Sequence, residues 1–230
     1  MNDNATPTVT PAPPPPPPEA PQQKVDVKIG DWLSAGWKLF AADWLKASVA
    51  MLIALVIGMV TCLLLWGPMT VGLYKCYLKK ARGQDYEYGE LFDGLKTQFI
   101  PSFLLMLMFW VVIIVPSVVL GFIPCVGSII SMVWSFVVSA FIPYAFYKMA
   151  DAQAPVQVGS LVDLLKDVYA KMQPALPMMV LWVIVAGIIG QAGVIACGIG
   201  VFASSAFAAL ALAVSYLEVF KGEQAVIPQQ

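Results

Sequence analysis

The stretch from Thr97 to Tyr147, TQFIPSFLLMLMFWVVIIVPSVVLGFIPCVGSIISMVWSFVVSAFIPYAFY, contains not one Asp, Glu, Lys or Arg. A helix that crosses a bilayer needs about 20 apolar residues, whereas a buried core helix accounts for runs of about 10–14. This stretch has room for two crossings and a turn, and Gly121-Phe-Ile-Pro124-Cys-Val-Gly127 near its middle supplies the turn residues. A second such run, Met172 to Leu217, is nearly as long and has its Gly- and Ala-rich break between Gly190 and Gly200. A third, Ala47 to Tyr74, is little more than half as long. The composition agrees. Charged residues make up 12% of the chain, against about 25% in soluble domains, and mean hydropathy is +0.79. The expected fold is therefore all-α, a polytopic transmembrane helical bundle.

The short run is the ambiguous one. If Lys46 and Lys75 bend their ammonium groups to the interface, the apolar segment extends from about Trp44 to Lys80 and makes a short hairpin. The alternative is one tilted helix broken near Gly67-Pro68. Charge placement selects the hairpin. All 13 Lys and Arg fall in residues 24–46, 75–96, 148–171 and at 221. Three hairpins put these segments on one side, as basic residues prefer the cytoplasmic face. The eight tyrosines lie in or beside the same segments, which predicts an aromatic belt at one interface. Six spans follow, at about 44–60, 62–80, 101–121, 127–149, 174–193 and 199–220, within one transmembrane domain of residues 30–230, both termini cytoplasmic.

Ahead of each hairpin lies a short amphipathic segment, and the three segments read as diverged copies of one unit. Leu33, Trp37 and Lys38 correspond to Leu91, Leu95 and Lys96, and to Leu161, Leu165 and Lys166. The expected apolar stripes are Leu33, Trp37, Phe40 and Trp44; then Leu91, Phe92, Leu95 and Phe99; then Leu161, Leu165, Val168 and Met172. Such helices either lie in the interface or extend the spans that follow. Residues 1–29 hold nine prolines, including Pro13 to Pro18. They predict a disordered tail with polyproline II character, a stiff spacer or a ligand for a proline-binding domain. They contain no apolar core of a signal peptide, so insertion falls to the first hydrophobic segment.

The candidate chemistry is sparse. Net charge is −1, which gives nucleic acid nothing to bind. There is no histidine, no CxxC and no phosphate loop, so no catalytic residue, metal ligand or cofactor is expected. Ionisable groups at membrane depth mark proton and ion paths. The apolar runs carry none, and their most polar side chains are Gln191, Ser131, Ser135, Ser204 and Ser205. Pro116, Gly187 and Gly190 are places where a span could break or merely kink. Lys75, Lys79, Lys80 and Arg82 sit just past a span, as an anionic-lipid contact or a topology signal. The acidic group Asp85, Glu87, Glu90 and Asp93 balances them. Ser205, Ala209 and Ala213 repeat at every fourth position, a small-residue face for packing units together or for self-association. Membrane lipids and other membrane proteins are the partners expected. Cys62, Cys125 and Cys197 fall at outer turns, where a pair could form a disulfide or simply fill apolar space.

Gly67-Pro68, Gly72-Leu73-Tyr74, Leu78-Lys79, Arg82-Gly83-Gln84 and Leu91-Phe92-Asp93-Gly94-Leu95-Lys96 together resemble a pattern of uncharacterised bacterial inner-membrane families. Among these is the membrane domain fused to some glycerophosphodiester phosphodiesterases. The resemblance is carried by the stretch from Gly67 to Lys96, extends to the rest of the chain only as hairpin architecture, and implies a bacterial inner-membrane helical bundle with no assigned activity. It brings no catalytic residues, because the phosphodiesterase chemistry belongs to a soluble domain that is not expected here. The functional expectation is a non-enzymatic scaffold or accessory factor, or else a small transporter for an apolar or lipid-like substrate. Cysteine-accessibility labelling at Ser34, Gln84 and Gln153 should report a single side of the membrane. Opposite labelling of Ser34 and Gln84 would make the first unit a single span.

Overall fold

A computed structural model describes residues 27–61, 64–123, 126–194 and 200–227. The proline run and Cys62, Cys125 and Cys197 lie outside the described residues. Within them the chain is helical: α1 (Ile29–Ala42), α2 (Trp44–Val60), α3 (Trp66–Ala81), α4 (Asp93–Thr97), α5 (Phe99–Gly121), α6 (Val126–Ala150), α7 (Leu161–Met172), α8 (Leu176–Ala192) and α9 (Gly200–Tyr216). A 3-10 turn, Tyr88–Phe92, leads into α4, and a π-helical turn, Leu217–Lys221, ends α9. Four stretches are long and apolar enough to cross a membrane: Phe99–Gly121, Gly127–Ala150, Val158–Ala192 and Gly200–Lys221. The pair α1 and α2, bent by 94°, makes a fifth if it is one broken span.

The three expected hairpins are present as antiparallel helix pairs. The Tyr77 hydroxyl of α3 donates to the Ala47 carbonyl of α2 at 3.0 Å. The Trp134 indole of α6 donates to the Val112 carbonyl of α5 at 2.9 Å. The Ser204 hydroxyl of α9 donates to the Gly190 carbonyl of α8 at 2.7 Å. Neither Pro116 nor Gly187 and Gly190 break their helices, since α5 and α8 run through them. A kink or close packing is the outcome at those sites, and Gly190 serves the packing of α8 on α9.

The units are arranged as a closed ring. The second helices α3, α6 and α9 touch one another at the centre. Each first helix packs on its own partner and on the second helix of the preceding unit: α5 on α3, α8 on α6, and α2 on α9. The amphipathic segments follow the same rule. The Tyr88–Phe92 turn with α4 packs on α3, α7 packs on α6, and α1 packs on α9. Each segment also meets its hairpin at a similar backbone break: Asp43 (φ −146°, ψ 50°), Gln98 (φ −132°, ψ 28°) and Ala175 (φ −129°, ψ 28°). The repeat seen in sequence is thus a structural pseudo-threefold.

Two expectations need correction. The buried face of α1 is Trp32, Ala35, Gly36, Leu39 and Phe40, while Trp37 and Trp44 of the expected stripe are exposed. With apolar residues nearly all round α1, its periodicity does not say which stripe meets protein. In the third segment the expectation is closer, with Leu161, Leu164, Val168 and Met172 buried. The tyrosines do not form a lipid-facing belt. Tyr77, Tyr86, Tyr144, Tyr147 and Tyr216 are buried within the protein, and Tyr74, Tyr147, Tyr216 and Phe220 stack in sequence at 4.0, 5.7 and 5.1 Å between ring centroids. Their shared location at one end reflects the meeting of α3, α6 and α9 there.

The docking of the Tyr88–Phe92 turn and α4 on α3 is a backbone-to-backbone contact. A Cβ on Gly72 would come within 1.9 Å of the Leu91 carbonyl oxygen, and one on Gly94 within 2.1 Å of the Pro68 carbonyl oxygen. Gly72→Ala should destabilise the protein by about 1–3 kcal/mol through overpacking. Gly89→Ala, where a Cβ meets open space, should be near neutral. Thermal unfolding of the two variants in detergent checks the pair.

Candidate functional site

Polar chemistry gathers at the end of the bundle where α3, α6 and α9 terminate. Helix α3 ends in a Schellman cap: Gly83 at φ 74° lets its N–H reach the Lys80 carbonyl and the Gln84 N–H reach the Lys79 carbonyl. That cap turns Arg82 toward the axis. Helix α6 stops at Ala150 and delivers Asp151, and the π-turn after α9 delivers Lys221. The Asp151 side chain, only 6% exposed, binds Arg82 at 2.6 Å and Lys221 at 2.8 Å, and accepts from the Tyr216 hydroxyl at 3.3 Å. Each of the three central helices therefore contributes one charge to a single cluster.

The chain beyond α9 closes over this cluster. Gly222 at φ 66° reverses the backbone, Glu223 accepts from Arg82 at 3.0 Å, and the Val226 N–H donates to the Ala81 carbonyl at 2.8 Å. From the α7 side, Lys171 donates to the Phe220 carbonyl at 2.8 Å. Beneath lies a second, neutral network. Ser215, fully buried, donates to the Leu212 carbonyl and accepts from the Trp182 indole at 3.0 Å, with the Tyr144 hydroxyl also at 3.0 Å. Trp182 packs against Trp32 of α1, whose indole donates to Glu218 at 2.5 Å.

Burial alone would raise the Asp151 carboxyl, but hydrogen bonds from Arg82 and Lys221, together with their charges, outweigh it and hold the group below the usual carboxylate range. A carboxylate so engaged is a poor general base. The cluster suits holding helices together rather than proton transfer.

The four basic residues of the expected lipid contact all face carboxylates of the chain itself. Lys75 pairs with Asp93 at 2.8 Å, Lys79 with Glu90 at 2.7 Å, Lys80 with Asp43, and Arg82 with Asp151 and Glu223. Lys46 joins Asp85 and sits over the Tyr86 ring. Two of these pairs tie the Tyr88–Phe92 turn and α4 to α3, as Lys148 with Asp167 ties α7 to α6. Of the small-residue face, Ala209 and Ala213 are buried and Ser205 is half-buried. The Ala209 carbonyl accepts from the Tyr147 hydroxyl at 2.5 Å, and Ser205 donates to the Gly190 carbonyl at 3.2 Å. Gln191 opens onto a groove of about 620 Å³ between α6 and α8, together with Phe136, Ser139, Val183 and Ile188. Ser131 and Ser135 are outside that lining.

Sequence reasoning missed Asp151. Its only signal was position, as the first acid after a 25-residue helix. Nothing local tied it to Arg82 or Lys221, which belong to the other two units. Among the described residues no group of His, Cys, Asp and Glu has the arrangement to hold a metal ion. Comparison with protein-family models, curated proteins and solved structures yields no match.

Asp151→Asn should cost about 1.5–3 kcal/mol, the range for hydrogen bonds to charged groups. Because the folded carboxyl titrates below its unfolded value of about 3.9, its contribution is complete above that pH. It is lost as the medium is acidified through the folded value. Thermal unfolding between neutral pH and about pH 3 should show a shallower acid decline for Asp151→Asn than for the parent chain.

Proposed function

We propose that this chain is a non-enzymatic scaffold or accessory factor of the bacterial inner membrane, crossing six times as three hairpins with both termini in the cytoplasm. The observation that carries the reading is the filled centre. Where α3, α6 and α9 converge at the charged end, the Tyr74–Tyr147–Tyr216–Phe220 stack and the Asp151 cluster fill the space between them. A conduction path needs that volume and polar groups lining it. The ring instead uses its polar groups to join helices.

The six-crossing topology rests on geometry at the charged end. Asp43 with Lys80 and Lys46 with Asp85 bring the start of α2 and the end of α3 together, which supports a first hairpin that returns to the side it left. At 17 and 16 residues, these helices are about 25 Å long, short of a hydrocarbon core of about 30 Å, and local thinning accommodates the difference. The cytoplasmic assignment of that end follows from its lysines, and the bacterial inner membrane from the glycine–proline pattern of residues 67–96.

A second reading draws on the groove between α6 and α8. It is apolar, opens sideways between two membrane-length helices and carries the Gln191 amide, features that suit a lipid-like substrate. Flux measurement separates the two. Protein reconstituted in liposomes should move a fluorescent lipid analogue no faster than protein-free vesicles. Protein-dependent flux that disappears in Gln191→Leu would replace the scaffold with a transporter.

A further inference from the structure

The outer end of α8 satisfies its own main chain. The Ser204 hydroxyl of α9 accepts from the Gly193 N–H at 3.2 Å and donates to the Gly190 carbonyl at 2.7 Å, and Ser205 donates to the same carbonyl at 3.2 Å. A helix end needs such side-chain partners where water does not reach it. The depth agrees. Gln191 shares the groove between α6 and α8 with Phe136. From Phe136, helix α6 continues outward to its start at Val126, about 15 Å farther. The Gln191 side chain is the exception at this level. It is exposed on the groove, and its amide has no hydrogen-bond partner among the described residues. Lipid chains offer neither donor nor acceptor, so an amide facing them keeps its desolvation cost uncompensated. One turn earlier, Gly187 also lines the groove and is exposed, and a Cβ there would meet open space.

We infer that the groove seats helix α8 of a second copy of this chain, the two Gln191 amides pairing across a twofold axis along the bilayer normal. The inference deepens the scaffold reading by naming a partner, and it rests on that reading for α6 and α8 crossing the membrane. The occupant must bring a donor and an acceptor to the depth of Gln191. An amide has both, so two of them exchange two N–H···O bonds, each oxygen accepting from the other's nitrogen. Copies inserted with one topology hold Gln191 at one depth, and the twofold axis brings like residue to like residue. A lipid headgroup stays at the surface, and an acyl chain has nothing to donate. Gly187 sets the distance between the helices. With no side chain at that point, the two α8 backbones approach closely enough for the amides to meet, as small residues permit in lipid. Val183 and Ile188 line the same groove and supply apolar contact. Ile188 is 66% exposed within one copy, and the facing helix covers it. A seated helix also closes the groove to a lipid-like substrate.

Full-length protein fused at its N-terminus to a donor or an acceptor fluorescent protein is reconstituted in liposomes, and energy transfer is followed as the lipid-to-protein ratio is raised. Transfer should fall along a monomer–dimer curve, and excess unlabelled protein should compete it away. Gln191→Leu, which removes the amide at similar size, should raise the dissociation constant about tenfold, the scale of interhelical hydrogen bonding in lipid. Gly187→Leu should raise it by a similar factor by holding the backbones apart. Both variants should unfold thermally as the parent does under monomeric conditions, because Gly187 faces open space within one copy and the Gln191 amide ties nothing there. Gly121→Leu, an equally open position at the end of α5, should leave the constant unchanged. Transfer no greater than random proximity gives overturns the inference and leaves the groove to lipid. A dimer that Gln191→Leu and Gly187→Leu both leave intact also overturns it, by moving the contact to another face. Neither outcome alters the flux comparison by which the scaffold reading is tested.

Discussion

Lipid chains are as apolar as leucine, so helices in hydrocarbon gain little from hiding apolar side chains against each other. What joins them is close approach and hydrogen bonds that the surrounding medium cannot supply. The contacts of this bundle follow that constraint. Gly72 and Gly94 allow one backbone to lie on another, and Gly36 does the same for α1 against Ala211. Where side chains intervene they are flat rings or carry a hydroxyl that reaches a main-chain carbonyl, as Tyr77 and Tyr147 do. Polar groups that would be costly facing lipid are thereby turned inward and serve as inter-helix ties.

This constraint explains the unequal burial of the units. Helix α9 is touched by α1, α2, α3, α6 and α8, and its Ala-rich surface makes such crowding feasible. The α5–α6 hairpin is different. At 23 and 25 residues its helices are the longest of the described residues, and their outer halves, from Val111 to Ile123 and from Ile129 to Phe136, are largely exposed. Those residues are bulky and branched and keep neighbouring backbones away. Side-chain size along each helix thus decides how far from the charged end the bundle stays closed.

Much of this was legible in the sequence because it depends on local chemistry. Absence of charge from Thr97 to Tyr147 is a statement about solvent, and the solvent dictates helices. The repeat was visible because Leu33, Leu91 and Leu161 occupy the same place in three similar docking segments. What stayed hidden depends on which surfaces meet. On α1 almost any stripe is apolar, so choosing the face of Trp37 over that of Trp32 had no local basis. Tyr147 looks the same whether it faces headgroups or stacks on Tyr74. Asp151 gains meaning only from Arg82 and Lys221, which other units supply. No sequence signal singled out Gln98, and only the packing around it shows an amide oxygen left without a partner among the described residues.

The ring has a consequence for the order of events during synthesis. Each docking segment rests on the helix of the preceding unit, so α4 and α7 find their seats as soon as they emerge. For α1 the preceding unit is the third, and its seat, α9, is made last. The earliest helix of the ring must therefore wait through the insertion of both later hairpins. Its Gly36 face stays uncovered until Ala211 of α9 has been made. Closure is a latch between the first and last helices of the ring, and a chain stalled before Gly200 keeps that latch open, with the α1 face that α9 would cover left bare.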